Sequence, residues 1–376
     1  MRIAVNARFL LPGKLEGLGW YTHELARRMA LAHPEDEFIY FFDRPYDPAF
    51  IYADNVRPVV VFPPARHPLL WYCWFEWALP HFLRRFQPDV LFSPDAYLSL
   101  RSKIPTILTV HDLLPLQHPE QVPWGPRVFY RHFLPKYIQK ADAVVTVSEY
   151  TRQAILAAVP VPPDKVSVAY NGCRDAFRPL NESDQAAVRQ RYTGGAPYFF
   201  YAGAIHPRKN VDRLIRAFDR FKSETGSDLR LVLGGRQAWQ TGPVEDALRR
   251  SPNRAHILPT GYLPESELAA LMASAIAFTY ISLGEGFGLP LLEAMYCDTP
   301  VICSNTTALP EVAGSAALLV DPLSEQAVAD AMKKIATDEN CRAALVAEGR
   351  IRRAQFTWDG AASDIYRLMQ KYARQT

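Results

Sequence analysis

Gly284-Glu285-Gly286-Phe287-Gly288-Leu289-Pro290-Leu291-Leu292-Glu293-Ala294-Met295 is the stretch whose reading decides the fold. The apolar run Ala277–Ile281 before it predicts a strand, and Pro290 marks the early part of a helix. Glycines between a strand and a helix start let backbone N–H groups approach an anion. The helix dipole favours negative charge there by ~0.3–1 kcal/mol. Glu285 on the loop and Glu293 on the helix bracket that position. A carboxylate beside a phosphate would repel it, but a carboxylate aimed at neutral hydroxyls is a strong acceptor. The pair therefore suits a ligand that carries both phosphate and polyol.

Outward from this segment the chain keeps the same rhythm. Apolar runs at 198–202, 229–234, 256–259, 301–303 and 317–320 predict further strands, with helical patterns at 211–223, 265–273 and 325–338 between them. The first half repeats it, with strands expected at 2–7, 38–42, 56–61, 90–92, 106–110 and 143–147 and helices at 21–31 and 126–140. Strands that are apolar throughout are buried on both faces, as in a parallel sheet covered by helices. The expectation is two doubly wound α/β halves, 1–176 and 177–354. The turn signals Asn171-Gly172 and Pro179 fall near the boundary. The last stretch, 355–376, carries a helix (358–373) that could cross back to the first half.

Composition narrows the function classes. The 376 residues hold 42 basic and 39 acidic side chains, 19 against 17 before residue 177 and 23 against 22 after it. Neither half is a basic module, so nucleic acid is not the expected ligand. The five cysteines (73, 173, 297, 303 and 341) show no metal spacing and read as reduced core residues of a cytoplasmic protein. The opening Met1–Gly13 reads as a first strand and not as a signal peptide.

Other motifs carry chemistry. In Tyr201-Ala202-Gly203-Ala204-Ile205-His206-Pro207-Arg208-Lys209-Asn210, two adjacent cations follow a strand, where open α/β sheets bind ligands. Arg208 can fork two phosphate oxygens and Lys209 adds a mobile point charge. His111 stands at the end of the apolar strand 106–110, followed by Asp112 as its expected orienter. Gly17-Leu18-Gly19 lies about ten residues beyond the first strand and is a poor dinucleotide fingerprint. The aromatic run Trp71, Tyr72, Trp74, Phe75 and Trp77 is open between core packing and contact with a lipid-linked acceptor or membrane.

In this order the motifs resemble those of the retaining GT-B glycosyltransferases of the large bacterial group 1 (family 4) type. Glu285 and Glu293 fall on the E-x7-E element of that family. The resemblance implies two Rossmann-like domains facing a cleft, an acceptor domain at 1–176 and a nucleotide-sugar domain at 177–354. It implies that Glu285 and the amides of Gly286, Phe287, Gly288 and Leu289 hold the donor sugar, and that Glu293 binds the ribose. Arg208 and Lys209 would grip the diphosphate, with Gly203 beside them. Tyr262 would stand where the base is seated, His111 would face the sugar, and Gly19 would lie near the diphosphate and acceptor. Glu311 matches a signature that helps to hold the site. The implied reaction is retaining transfer from a nucleoside diphosphate sugar, GDP-mannose being the best guess, to a saccharide or lipid-linked saccharide acceptor. Bacterial surface polysaccharide synthesis is the expected setting, with His111, Arg208, Lys209 and Glu285 in the catalytic set. No DxD motif is present, so no metal and no cofactor are expected. Peripheral contact with the inner face of the membrane is left open. Two other classes remain, a nucleotide-sugar epimerase of the same fold and a catalytically silent sugar-nucleotide-binding subunit.

Overall fold

A computed structural model describes residues 1–13, 15–236 and 242–374. The chain divides into two units, Met1–Asn171 with Thr357–Thr376, and Gly172–Phe356.

The first unit is built on seven parallel strands: β1 (Arg2–Asn6), β2 (Glu37–Phe42), β3 (Val56–Val60), β4 (Val90–Ser93), β5 (Thr106–Val110), β6 (Ala143–Thr146) and β7 (Val166–Val168). Their order is β3-β2-β1-β4-β5-β6-β7. Central strands such as β1, β4 and β5 are buried along nearly their whole length, which is why they read as unbroken apolar runs. β7 was not among the expected strands. It has three residues at the sheet edge and two of them are only half-buried, so it offers no apolar run to read.

The aromatic run serves mainly this unit's core. Trp74 and Phe75 are fully buried. Trp74 donates its indole N–H to the Val61 carbonyl at 2.9 Å, and Phe75 stacks on Tyr97 at 5.3 Å. Trp71 donates to the Ala65 carbonyl at 2.9 Å, while Trp77 stays exposed.

The second unit has six parallel strands: β8 (Tyr198–Ala202), β9 (Arg230–Gly234), β10 (Ile257–Gly261), β11 (Ala277–Tyr280), β12 (Val301–Ser304) and β13 (Ala317–Val320). Their order is β10-β9-β8-β11-β12-β13. Helix Val211–Thr225 buries Val211, Leu214, Ile215, Phe218 and Phe221, the three-and-four spacing of an amphipathic helix. Each such side chain contributes roughly 1.5–3 kcal/mol on burial.

Both sheets reverse direction once, between β1 and β4 in the first and between β8 and β11 in the second. The connections on either side of such a reversal splay apart at the carboxyl ends of the strands and leave a crevice for a ligand. The first division falls five residues before the expected 176/177 boundary. Residues 172–176 go with the second unit because Arg174 pairs there with Glu265 and Glu293.

The chain returns to the first unit at Thr357, whose hydroxyl accepts from the Gly360 N–H at 3.1 Å and caps helix Trp358–Tyr372. Trp358, Ile365 and Met369 are buried, Tyr366 donates to Asp36 at 2.6 Å, and its ring stacks on His33 at 3.5 Å.

Candidate functional site

The crevice of the second unit lies at the ends of β8 and β11, and the chain after each strand delivers charge to it. After β8 the loop passes Gly203 and reaches His206, whose Nδ1 accepts from the Arg208 N–H at 3.2 Å. Asn210 then closes the loop. It takes a left-handed conformation (φ 59°) and ties the backbone down by donating to the carbonyls of Ile281 at 3.1 Å and Pro322 at 2.7 Å. The turn is thereby fixed on both sides of the two cations.

After β11, Tyr280, Ser282 and Glu285 face the same point. Glu285 Oε1 accepts from Lys209 Nζ at 2.6 Å, Ser282 Oγ at 2.5 Å and the Tyr280 hydroxyl at 3.0 Å. Its Oε2 lies 2.9 Å from Arg208 Nη1. Arg208 also donates to the Gly284 carbonyl, and Lys209 to the Tyr280 hydroxyl. The two loops are joined through the backbone as well, because the Arg208 carbonyl accepts from Leu283 N at 2.8 Å.

Burial by itself would raise the Glu285 carboxyl, but Arg208 and then Lys209 outweigh it and hold the group down at about 2. Burial first, then the neighbouring Glu285 carboxylate, pushes the Tyr280 phenol well above its usual range, so it remains a donor. Burial together with the positive charge of Arg208 and Lys209 lowers His206 to about 4, so its ring is neutral near pH 7.

Glu285 leads to a prediction. With its carboxyl held at about 2 instead of the ordinary 4.5, it stabilises the folded protein at and above ~4.5. That contribution fades as pH falls from ~4.5 through ~2, and amounts to on the order of 3 kcal/mol. Glu285→Gln cannot titrate, so thermal unfolding followed between these pH values should show a shallower acid loss than wild type. Parallel acid limbs would mean that this ion cluster does not stabilise the fold.

Helix Leu289–Tyr296 starts beside the cluster. Gly288 precedes it with φ 98°, and a Cβ there would stand 2.5 Å from Leu309 Cδ2, so both backbone and packing call for glycine. Gly286 and Phe287 are buried in the loop, and Phe287 meets Phe356 edge-on at 5.7 Å. Four residues into the helix, Glu293 is buried. Arg174 donates to its Oε1 from Nη2 at 2.5 Å and from Nε at 3.2 Å. Arg208, Lys209, Glu285 and the 286–289 loop thus form one cluster, with Gly203 behind it, its virtual Cβ 3.0 Å from the Tyr201 hydroxyl. Tyr262, just beyond β10, keeps its side chain exposed. Glu311 contributes its carbonyl, which accepts from Arg352.

His111 and Gly19 lie in the first unit. His111, half-buried beyond β5, has Nε2 2.8 Å from the Pro94 carbonyl and meets Tyr21 edge-on with ring centres 4.5 Å apart. A carbonyl only accepts, so Nε2 carries the proton and Nδ1 is the acceptor of the neutral ring. Burial lowers the ring's pKa against the opposing pull of Pro94, Asp112 and Asp95, which keeps it neutral at pH 7. Asp112 Oδ1 accepts from Leu114 N at 3.1 Å. Gly19 is buried in the first turn of helix Gly17–Ala32, where a Cβ would come 2.8 Å from the Phe9 carbonyl oxygen. That contact gives the glycine a packing reason of its own.

Sequence reading missed Tyr280, Ser282 and Arg174. The first two sit at the carboxyl end of β11, where the strand-end rule would have found them. Arg174 carried no motif, and only the folded chain brings it to Glu293. Among the described residues, no group of three or more His, Cys, Asp or Glu is placed to hold a metal ion.

Comparison with known proteins adds to this geometry. Residues 15–177 match the family described as Glycosyltransferase Family 4, and residues 184–352 the one described as Glycosyl transferases group 1. The O-antigen chain mannosyltransferase B of Escherichia coli is 29% identical over 374 residues, 94% of this chain and 97% of that protein. A GDP-mannose-dependent alpha-(1-6)-phosphatidylinositol monomannoside mannosyltransferase of Mycobacterium tuberculosis is 28% identical over 74% of this chain and 72% of its own. Among solved structures, sucrose-phosphate synthase from Thermosynechococcus elongatus matches with a TM-score of 0.79 over 98% of both chains. At 19% identity that likeness carries the fold alone, which is GT-B.

Proposed function

Because the chain belongs to the group 1, family 4 glycosyltransferases, we propose that it moves mannose from GDP-mannose to an acceptor hydroxyl, with retention at the anomeric carbon and without a metal. The observation that carries this reading is the meeting of Arg208 and Lys209 with Glu285 at the sheet's reversal, beside the start of helix Leu289–Tyr296. A departing diphosphate gains negative charge as the glycosidic bond breaks. Two cations already held in place by Glu285, Tyr280 and Ser282 need no reorganisation to stabilise it.

The donor sugar lies beside Glu285 and the 286–289 backbone, and the ribose meets Glu293. The neutral His111, with Nδ1 as acceptor, suits a sugar hydroxyl better than it suits a nucleophile's task. The acceptor oxygen bonds to the anomeric carbon on the face the phosphate leaves, and its proton passes to the departing phosphate oxygen. Mannose as the sugar and GDP as the carrier rest on the mannosyltransferases to which the chain is similar.

The acceptor is a saccharide or lipid-linked saccharide of bacterial surface polysaccharide or glycolipid synthesis, handled mainly by the first unit on the cytoplasmic side. Peripheral membrane contact is supported by the exposed rings of Trp77 and Trp124 in that unit. No described helix is long and apolar enough to cross a membrane.

The test is incubation with GDP-, UDP- and ADP-sugars and a panel of oligosaccharide acceptors, with the product linkage read by NMR. The expected product is an α-mannoside formed from GDP-mannose alone, and it should persist with chelator present. A β-linked product would overturn retention. Release of an epimerised nucleotide sugar would favour the epimerase reading, and donor binding without turnover a silent subunit.

A further inference from the structure

Arg174 is the third residue of the second unit, on the segment that enters it from the first. Its guanidinium is largely buried and held on three sides. Nη2 and Nε donate to Glu293 Oε1 at 2.5 and 3.2 Å, and Nη1 donates to Glu265 Oε1 at 2.7 Å. The guanidinium carbon lies 4.7 Å from the centre of the Phe177 ring. Burial alone would lower its pKa, but Glu293 and Glu265 reverse that and raise it.

The two carboxylates come from different walls. Glu293 belongs to helix Leu289–Tyr296, which begins at the Glu285 cluster. Glu265 opens helix Glu265–Ser274, directly after the loop that carries Tyr262. Arg174 is therefore a strut between the helix proposed to meet the ribose and the loop proposed to meet the base. Its two bonds to Glu293 both go to Oε1, which fixes the orientation of that carboxylate. A buried carboxylate needs such a partner to remain charged, since an unpaired ion in the interior is strongly disfavoured. The fork of an arginine also fixes direction in a way that a lysine's single ammonium does not.

From this we infer that Arg174 is a positioning residue for the nucleotide. It pairs with the Glu293 carboxylate and holds it turned so that Oε2 accepts from the vicinal hydroxyls of a ribose. The inference rests on the proposed role of Glu293 and adds the residue that makes that role possible. Glu293, Glu265 and Phe177, the partners it holds, are not members of the Arg208–Lys209–Glu285 cluster, so what Arg174 contributes through them should be made equally in the ground state and the transition state. It should then appear in KM and not in kcat.

The experiment uses the full chain. GDP, UDP and ADP are titrated by calorimetry into wild type, and the nucleotide that binds most tightly is carried into Arg174→Ala, Arg174→Lys, Glu293→Gln and the Arg174→Ala/Glu293→Gln pair. Arg174→Ala should weaken binding at least tenfold, with kcat at saturating donor within about twofold of wild type. Arg174→Lys, which keeps the charge and is expected to fold, should fall between the two. The double variant should bind no more weakly than the weaker single variant by more than about twofold, because both remove the same contact to ribose.

If Glu293→Gln weakens binding but Arg174→Ala and Arg174→Lys do not, the inference is wrong while the ribose reading of Glu293 stands. If Glu293→Gln leaves binding intact, or wild type binds none of the three nucleotides, that reading fails and this inference with it. A loss confined to kcat, or one that tracks only a lowered melting temperature, would make Arg174 a structural tie and nothing more.

Discussion

Alanine at Arg208 or at Lys209 should lower kcat by on the order of 10²-fold or more, comparable to the loss of one preorganised oxyanion donor. The diphosphate's charge grows as the sugar departs, so the lost stabilisation is largest in the transition state and KM should change less than kcat. The geometry adds a complication to be controlled. Both side chains are counter-ions of Glu285, which is buried and accepts from three donors on one oxygen. Removing one cation leaves that carboxylate with less compensation and should lower the melting temperature as well. Rates are therefore to be taken per folded molecule, over a full donor titration. Arg208→Lys makes a sharper comparison, since it preserves charge and loses the guanidinium Nη1 that reaches both Glu285 and the Gly284 carbonyl. An effect confined to KM in both alanine variants would mean that the two cations bind ground-state phosphate and do not assist bond breaking.

The second large effect is expected at His111. His111→Ala should reduce transfer by about 10²-fold, the scale of a misplaced reacting group, while leaving nucleoside diphosphate affinity nearly unchanged. Its stability cost should be small. The ring gives up one edge-on contact with Tyr21 and one hydrogen bond to the Pro94 carbonyl, together on the order of 1–2 kcal/mol. For a unit of this size that is a fall of several degrees in Tm. A histidine that served only the fold would show the opposite pattern, with activity tracking the folded fraction. Near-wild-type transfer per folded molecule at saturating donor would remove His111 from the catalytic set.

The architecture was legible because both halves are buried parallel sheets, whose strands read as unbroken apolar runs between amphipathic helices. What escaped was short or exposed. β7 has three edge residues, and the helix Leu309–Ala313 has five. At the site, the charged residues Arg208, Lys209, Glu285 and Glu293 stand out because charge beside glycine at a strand end is informative in one dimension. Their partners are not. Tyr280 looks like one more apolar strand residue, Ser282 like a loop serine, and Arg174 lies 119 positions from the carboxylate it holds. Gly19 shows the reverse problem, since the 2.8 Å approach of the Phe9 carbonyl accounts for that glycine whether or not a ligand is near.

The returning helix Trp358–Tyr372 has a bearing on how the protein comes into being. It supplies buried Trp358, Ile365 and Met369 to a unit whose other residues all precede position 172. During synthesis the sheet-bearing part of the first unit leaves the ribosome some 185 residues ahead of the helix that covers it, an interval filled by the whole of the second unit. At about 5–20 residues per second that interval lasts on the order of ten to forty seconds. Through it, an apolar flank of the first unit waits uncovered while the second can complete its own core. The later-made half is thus able to mature first, and the earlier-made half depends for its closure on residues 357–374.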